Sequence, residues 1–207
     1  FMIAKIDRFP EKTVEVLKTA AIIGNRFDLD LLARVNDAPR EETAADLWIA
    51  LQEGLILPYA HQELADITNP EIRGVVYIFA HDRIQQALYT HMENDRRKRL
   101  HWRIGRIMQA EAADEFPEHG IFEIANHLNA GFDPQREGNE TVGICALNCR
   151  AGMASKASAA YESAFYYFKT GIEGLPADSW RHHYDLTLRL YTHGAEAAYL
   201  NSDFLNM

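Results

Sequence analysis

Residues 77–92 read YIFAHDRIQQALYTHM, and the residue pattern changes in the middle of this stretch. Up to Ala80 the run VVYIFA is apolar and rich in β-branched and aromatic residues, which predicts a buried strand. From Asp82 on, Ile84, Ala87, Leu88 and His91 fall near one face of a helix. His81 and Asp82 stand where the strand becomes a helix, and two readings fit them. In the first, Asp82 is the N-cap, which the helix dipole favours, and His81 fills a half-buried gap. In the second, the strand end holds the His81 imidazole so that it donates a hydrogen bond to an anionic oxygen.

Toward the N-terminus, Pro10 opens a helix with Val14, Leu17, Ala20 and Ala21 at helical spacing, and Gly24-Asn25 ends it. DLDLLARV is a second helix with Asp28 as its cap. EETAADLWIALQEG is a third, with Leu47, Ala50 and Leu51 inward and Gly54 as the stop. LILPY is a short strand, and the polar segment 61–74 with Asn69-Pro70 is a loop. Three helices, a strand, a loop and a returning strand are the order of a winged-helix domain. The two strands are expected to pair as its wing hairpin.

Toward the C-terminus the pattern is helical throughout. In the basic helix ENDRRKRLHWRIGRIMQAEA, Leu100, Ile104, Ile107 and Met108 form an apolar stripe, with Arg99, Arg103 and Arg106 beside it. GIFEIANHLNAG is a short amphipathic helix. NETVGICALNCRAGMASKA and AAYESAFYYFKTGIEGL form a helical hairpin, and SWRHHYDLTLRLYTHGAEAAYL begins the next. Gly152, Ala164, Phe168 and Pro176 fall at tetratricopeptide spacings, in which small residues let two helices touch and an aromatic fills the gap to the next pair. Tyr161 and Phe204 read as equivalent positions of a repeat longer than the standard one.

The expected fold is therefore mainly α. A winged-helix domain with a short β-hairpin occupies 1–92. A linking helical region covers 93–137. The start of a TPR-like array of antiparallel helical hairpins covers 138–207. Phe1 at one end and NSDFLNM at the other suggest a piece of a larger protein.

The net charge is −9, which makes the chain a poor general binder of nucleic acid. The third helix carries Glu41, Glu42, Asp46 and Glu53 against Arg40 alone, so a major groove would repel it. Arg96, Arg97, Lys98, Arg99, Arg103 and Arg106 are expected to pair with acidic neighbours instead. No apolar run is long enough to span a membrane, and no signal peptide opens the chain. Cys145 and Cys149 face the same way on one helix and read as reduced thiols of a cytoplasmic protein, without the further ligands a metal needs. His182, His183 and His193 share no face. No phosphate-binding, hydrolase, metalloprotease or kinase motif is present, so the stretch is expected not to be an enzyme itself.

The order winged helix, F-x-H-D-x-x-Q-x-x-x-Y, helical repeats resembles the region behind the nucleotide-binding domain of STAND-type signalling ATPases. These include plant NLR proteins and apoptotic-protease activators. More narrowly, LKTAAIIGNRFDLDLLARV, LQEGLILP, FAHDRIQQALY, HWRIGRIM, IFEIANHLNAG and AAYESAFYYFKTGI resemble segments of large bacterial proteins. Those proteins join a Ser/Thr kinase domain, an AAA-like ATPase, helical repeats, GAF sensors and a histidine kinase. One departure is Ala80, where NLR proteins have Met before the His-Asp pair. The resemblance implies a switch. His81 would contact the β-phosphate of ADP held by an upstream ATPase domain, and Asp82 would orient the segment. The cofactor, ATP or ADP, would belong to the parent protein and not to this stretch. The implied partners are that ATPase domain, and a downstream sensor or kinase domain or another protein on the helical repeats. The rival function is a DNA-binding winged-helix regulator with a helical-repeat sensor region.

Overall fold

The computed structural model describes residues 8–59, 74–112, 120–133 and 140–201. The chain divides into two units, Phe1–Ile107 and Met108–Met207, and the division falls inside the basic helix.

In the first unit, α1 spans Glu11–Ile23 and starts directly after Pro10. Its inner face is Thr13, Val16, Leu17, Ala20 and Ala21, the helical spacing that buries one side. A short strand β1, Arg26–Asp28, follows. Asp28 then caps α2, Leu29–Asn36, its side chain accepting a hydrogen bond from the Leu31 N–H at 2.9 Å. This is the cap expected from the sequence, and Asp28→Ala removes about 1 kcal/mol of this kind of support. The third helix, α3, covers Arg40–Gln52. Arg40 is buried and pairs with Asp30 at 3.0 Å, which ties the start of α3 to α2. Gly54 takes a positive φ of 67°, a turn that glycine makes without steric cost, and leads into β2, Ile56–Pro58.

β3, Val76–Phe79, lies between the other two strands, and both pair with it antiparallel. Its register sets Phe27 and Pro58 against Tyr77, and Ile56 against Phe79. Phe27, Tyr77, Phe79 and Ile56 thus point to one face and join Leu17, Leu29, Leu32 and Leu47 in the core. The Phe27 ring stands 5.7 Å from Tyr77 and 5.3 Å from Phe79. The β2–β3 pairing matches the expected hairpin. β1 was not expected. Three residues are too few to display alternation, and Phe27 finds its place only because β3 pairs beside it. α4, Asp82–Thr90, and α5, Asn94–Glu111, follow β3.

One core group is poorly accommodated. The Tyr77 hydroxyl is fully buried and has no hydrogen-bond partner, and burial pushes its pKa up to about 12. Tyr77→Phe removes the orphaned hydroxyl and is expected to leave stability unchanged or to raise it by about 1 kcal/mol. Between the ordinary tyrosine value near 10 and about 12 the unfolded chain loses this proton and the folded chain keeps it. Stability therefore falls as pH rises through that window. Urea titrations of both proteins from pH 9 to 12 check this, and the Tyr77→Phe protein should show the shallower alkaline decline.

The second unit is helical: α6 Gly120–Gly131, α7 Thr141–Ala157, α8 Tyr161–Glu173, α9 Ser179–His182 and α10 Tyr184–Leu200. Residues 158–160 join α7 to α8, with Ala159 at φ 57°. Three close approaches fix an antiparallel pair. A Cβ at Gly152 would lie 2.6 Å from the Phe168 ring, one at Gly171 would meet Asn148, and one at Gly174 would meet Cys145. Ala164 and Phe168 are fully buried in this unit. α10 packs on α8 as well, with Leu190 over Gly171, and Gly194 over Ile172 and Phe168.

Two expectations change here. The segment 179–200 is not one helix, because His183 (φ −136°, ψ 42°) breaks it into α9 and α10. Of the proposed equivalent pair Tyr161 and Phe204, Phe204 lies outside the described residues.

Candidate functional site

The strand-to-helix junction is held from several sides. The Phe79 N–H donates to the Asn25 carbonyl and the Ala80 N–H to the Leu55 carbonyl, both at 2.9 Å. Phe79 itself is buried, so the last strand residue cannot swing out. His81 is extended, at φ −146° and ψ 139°, and its carbonyl accepts the first bond of α4 from the Ile84 N–H at 2.9 Å. One turn on, Gln85 Nε2 donates to the Ala21 carbonyl at 2.8 Å and so ties α4 to the last turn of α1.

His81, Asp82 and Arg83 are all exposed on this fixed backbone. His81 occupies the N-cap position itself, and no side-chain bond caps the helix. Asp82 stands one place later, at the first helical position, so the expectation that it is the cap is corrected. Its carboxylate still lies in the first turn, where the helix dipole favours an anion. The gap-filling reading of His81 does not survive, because the residue is exposed. The arrangement presents an imidazole to solvent beside a carboxylate, with the backbone beneath it held rigid. Chemically, that is a hydrogen-bond donor aimed outward.

Gln85 and Tyr89 take roles that spacing alone did not show. The Tyr89 hydroxyl lies 3.1 Å from His101 Nε2, and the Arg97 guanidinium stands 4.9 Å over the Tyr89 ring. The Gln and Tyr of F-x-H-D-x-x-Q-x-x-x-Y are thus anchors, one to α1 and one to α5. Their fixed distance from His81 was the available signal.

One cation of the basic helix meets an acidic neighbour as expected, and another bonds backbone instead. Arg96 pairs with Glu15, and Arg103 donates to the Arg34 carbonyl at the end of α2 at 3.2 Å. Burial pushes the Glu15 carboxyl up, but hydrogen bonds from Lys18 and Arg96 outweigh it and hold it below the usual carboxylate range. On α3, Glu41 and Glu42 are exposed, and Glu42 meets Lys12 at 3.1 Å.

In the second unit, polar side chains of IANHLN reach two other helices. Asn126 accepts from the Tyr167 hydroxyl at 2.9 Å. Asn129 and Asn148 exchange two amide hydrogen bonds, at 2.9 and 2.8 Å. Cys145 and Cys149 are free and buried, and burial pushes the Cys145 thiol up to about 11, which makes it a poor nucleophile. His182 is exposed near Asp178, and His193 lies 3.2 Å from Lys156 Nζ. Among the described residues no group of three or more His, Cys, Asp or Glu side chains is placed to hold a metal. Among the same residues no helix is long and apolar enough to cross a membrane.

The chain is similar to the hybrid signal transduction histidine kinase G of Dictyostelium discoideum, with 24% identity over 250 residues. The match covers 97% of this chain and 7% of that protein, so the chain spans only a small part of its relative's length. No family model matches the chain. No solved structure matches it.

Proposed function

We propose that the chain is a regulatory part of a signalling protein, in which the first unit responds to a nucleotide and the second passes the response on. In this reading the first unit is a winged helix. Its order of three helices and three strands, with β2 and β3 as the wing, supports that assignment. The second unit is the beginning of a tetratricopeptide-like array, a reading supported by the contact of Gly152 with Phe168. A signalling context draws support from the name of the Dictyostelium relative. The chain does no chemistry of its own here and works in the cytoplasm. ATP or ADP binds an ATPase domain upstream, and a sensor domain, a kinase domain or a separate protein receives the output.

The observation that carries the reading is the exposed His81 on an immobilised strand end. Its ring donates to a phosphate oxygen of ADP and holds the closed state, and Asp82 orients the turn beside it. One charge-assisted hydrogen bond contributes about 1.5–3 kcal/mol, enough to shift a two-state balance by about ten- to a hundredfold. His81→Ala, made in a polypeptide that includes the ATPase domain, is expected to release ADP faster by about that factor and to raise basal signalling. ADP retention equal to wild type would remove His81 from the switch. Strong, salt-dependent binding of duplex DNA by the chain would favour the rival regulator instead. The acidic, exposed start of α3 and the pairing of Arg96 with Glu15 speak against that outcome.

A further inference from the structure

Tyr89 belongs to the last turn of α4, the helix whose N-cap position is His81. Two side chains of α5 converge on it. Its hydroxyl lies 3.1 Å from His101 Nε2, and the two rings meet edge to face with centroids 5.9 Å apart. The Arg97 guanidinium stands 4.9 Å over the Tyr89 ring, and Arg97 Nη1 reaches the Tyr89 carbonyl at 3.5 Å. Arg97 and His101 are spaced i, i+4, so they lie on one face of α5. Arg97 Nη2 also donates to Asn94 Oδ1 at 3.0 Å, which holds the guanidinium in place. Tyr89 is thereby gripped at its hydroxyl, its ring and its carbonyl.

Two other contacts hold α5 without using α4. Arg96 pairs with Glu15 of α1, and Arg103 donates to the Arg34 carbonyl of α2. α5 itself runs on unbroken to Glu111, past the division between the units at Ile107. From His81 to Tyr89, α4 spans about 12 Å at the helical rise. Its Ile84 and Leu88 are buried, so it is supported along its inner side.

We propose that Tyr89 is a positioning residue of the His81 site. It locks α4 to α5, so that a change in how His81 is held is felt along α5 toward the second unit. The proposal rests on the nucleotide reading of His81 and adds the route by which that site is read. Coupling of this kind needs a continuous packed path, and Tyr89 supplies the joint between its two helices.

The test uses a polypeptide that includes the ATPase domain and follows amide exchange with and without ADP. In the wild-type protein ADP should slow exchange in both α4 and α5. Tyr89→Phe combined with Arg97→Ala removes the hydroxyl contact and the cation over the ring. It keeps the apolar bulk of the ring, and Arg96 and Arg103 still seat α5. In this variant ADP should still slow exchange in α4, while the response of α5 should fall by about tenfold. Tyr89→Phe alone should show a partial loss. Arg103→Ala is the control for a merely structural effect: it should raise exchange in α5 and leave the ADP-dependent difference in place. A full α5 response in the double variant would overturn the proposal, as would an equal loss in Arg103→Ala. The same holds if ADP leaves α5 unchanged in the wild-type protein although His81→Ala speeds ADP release. If His81→Ala retains ADP like wild type, the nucleotide reading itself fails and takes the proposal with it.

Discussion

Phe168→Ala is expected to destabilise the second unit by about 3–5 kcal/mol, the usual cost of truncating a fully buried aromatic. The ring is enclosed on both sides. Gly152 of α7 approaches it so closely that an added Cβ would lie 2.6 Å away, and Gly194 of α10 sits over its Cβ. Neither glycine has a side chain that can move in to fill the cavity. Gly152→Ala provides a control through the same contact. Alone it is destabilising, because the new methyl meets the ring. Combined with Phe168→Ala it should cost much less, because the clash is gone and the methyl fills part of the cavity. Non-additivity in a double-mutant cycle measures that contact directly. Chemical denaturation followed at the transition of the second unit gives all three values. A Phe168→Ala transition that matches wild type would refute the packing of α7, α8 and α10 described above.

Asn148→Leu is the second large effect, expected at about 1–3 kcal/mol. Asn148 is fully buried, exchanges two amide bonds with Asn129 and donates a third to the Ile144 carbonyl at 3.0 Å. Leucine keeps the volume approximately and removes the bonds. Asn129 is then left facing an apolar side chain, and most of the cost is its lost partner. Replacing Asn129 by Leu as well removes that orphan, so the double variant should recover a good part of the stability. The recovered protein should nevertheless hold α6 less specifically, because the reciprocal amide pair admits one register of α6 on α7 and an apolar pair admits several. Denaturation curves of the single and double variants, with amide exchange along α6, separate these effects. Additive losses in the double variant would mean that the pair contributes little.

Different parts of this structure were legible in the sequence to different degrees. The helices of the first unit were clear, because Val14, Leu17, Ala20 and Ala21 mark one face and Asp28 supplies a real cap. The β2–β3 pairing was clear from LILPY and VVYIFA. β1 was not, because its three residues carry no period, and its pairing with β3 depends on residues some 50 positions away in the chain. The break at His183 was hidden as well, because the apolar spacing runs through it without interruption.

The candidate site shows the same division. The sequence singled out His81-Asp82 as a pair at a change of pattern. It could not show that His81 holds the cap position without capping, or that its ring is exposed. Those facts depend on how Phe79 and Ala80 are pinned by Asn25 and Leu55, residues from two other connections. Similarly, Gln85 and Tyr89 were visible as motif letters, while their partners, Ala21 and His101, became known only when the helices packed.

By itself the sequence determined a mainly helical chain, a paired β2–β3 hairpin and a polar junction at 81–82. All of these follow from local periodicity, side-chain size and capping chemistry. Only the tertiary structure decided that the Tyr77 hydroxyl is buried without a partner, and which cations are used internally. Those outcomes depend on distances between residues remote in the chain, and local pattern carries no record of them.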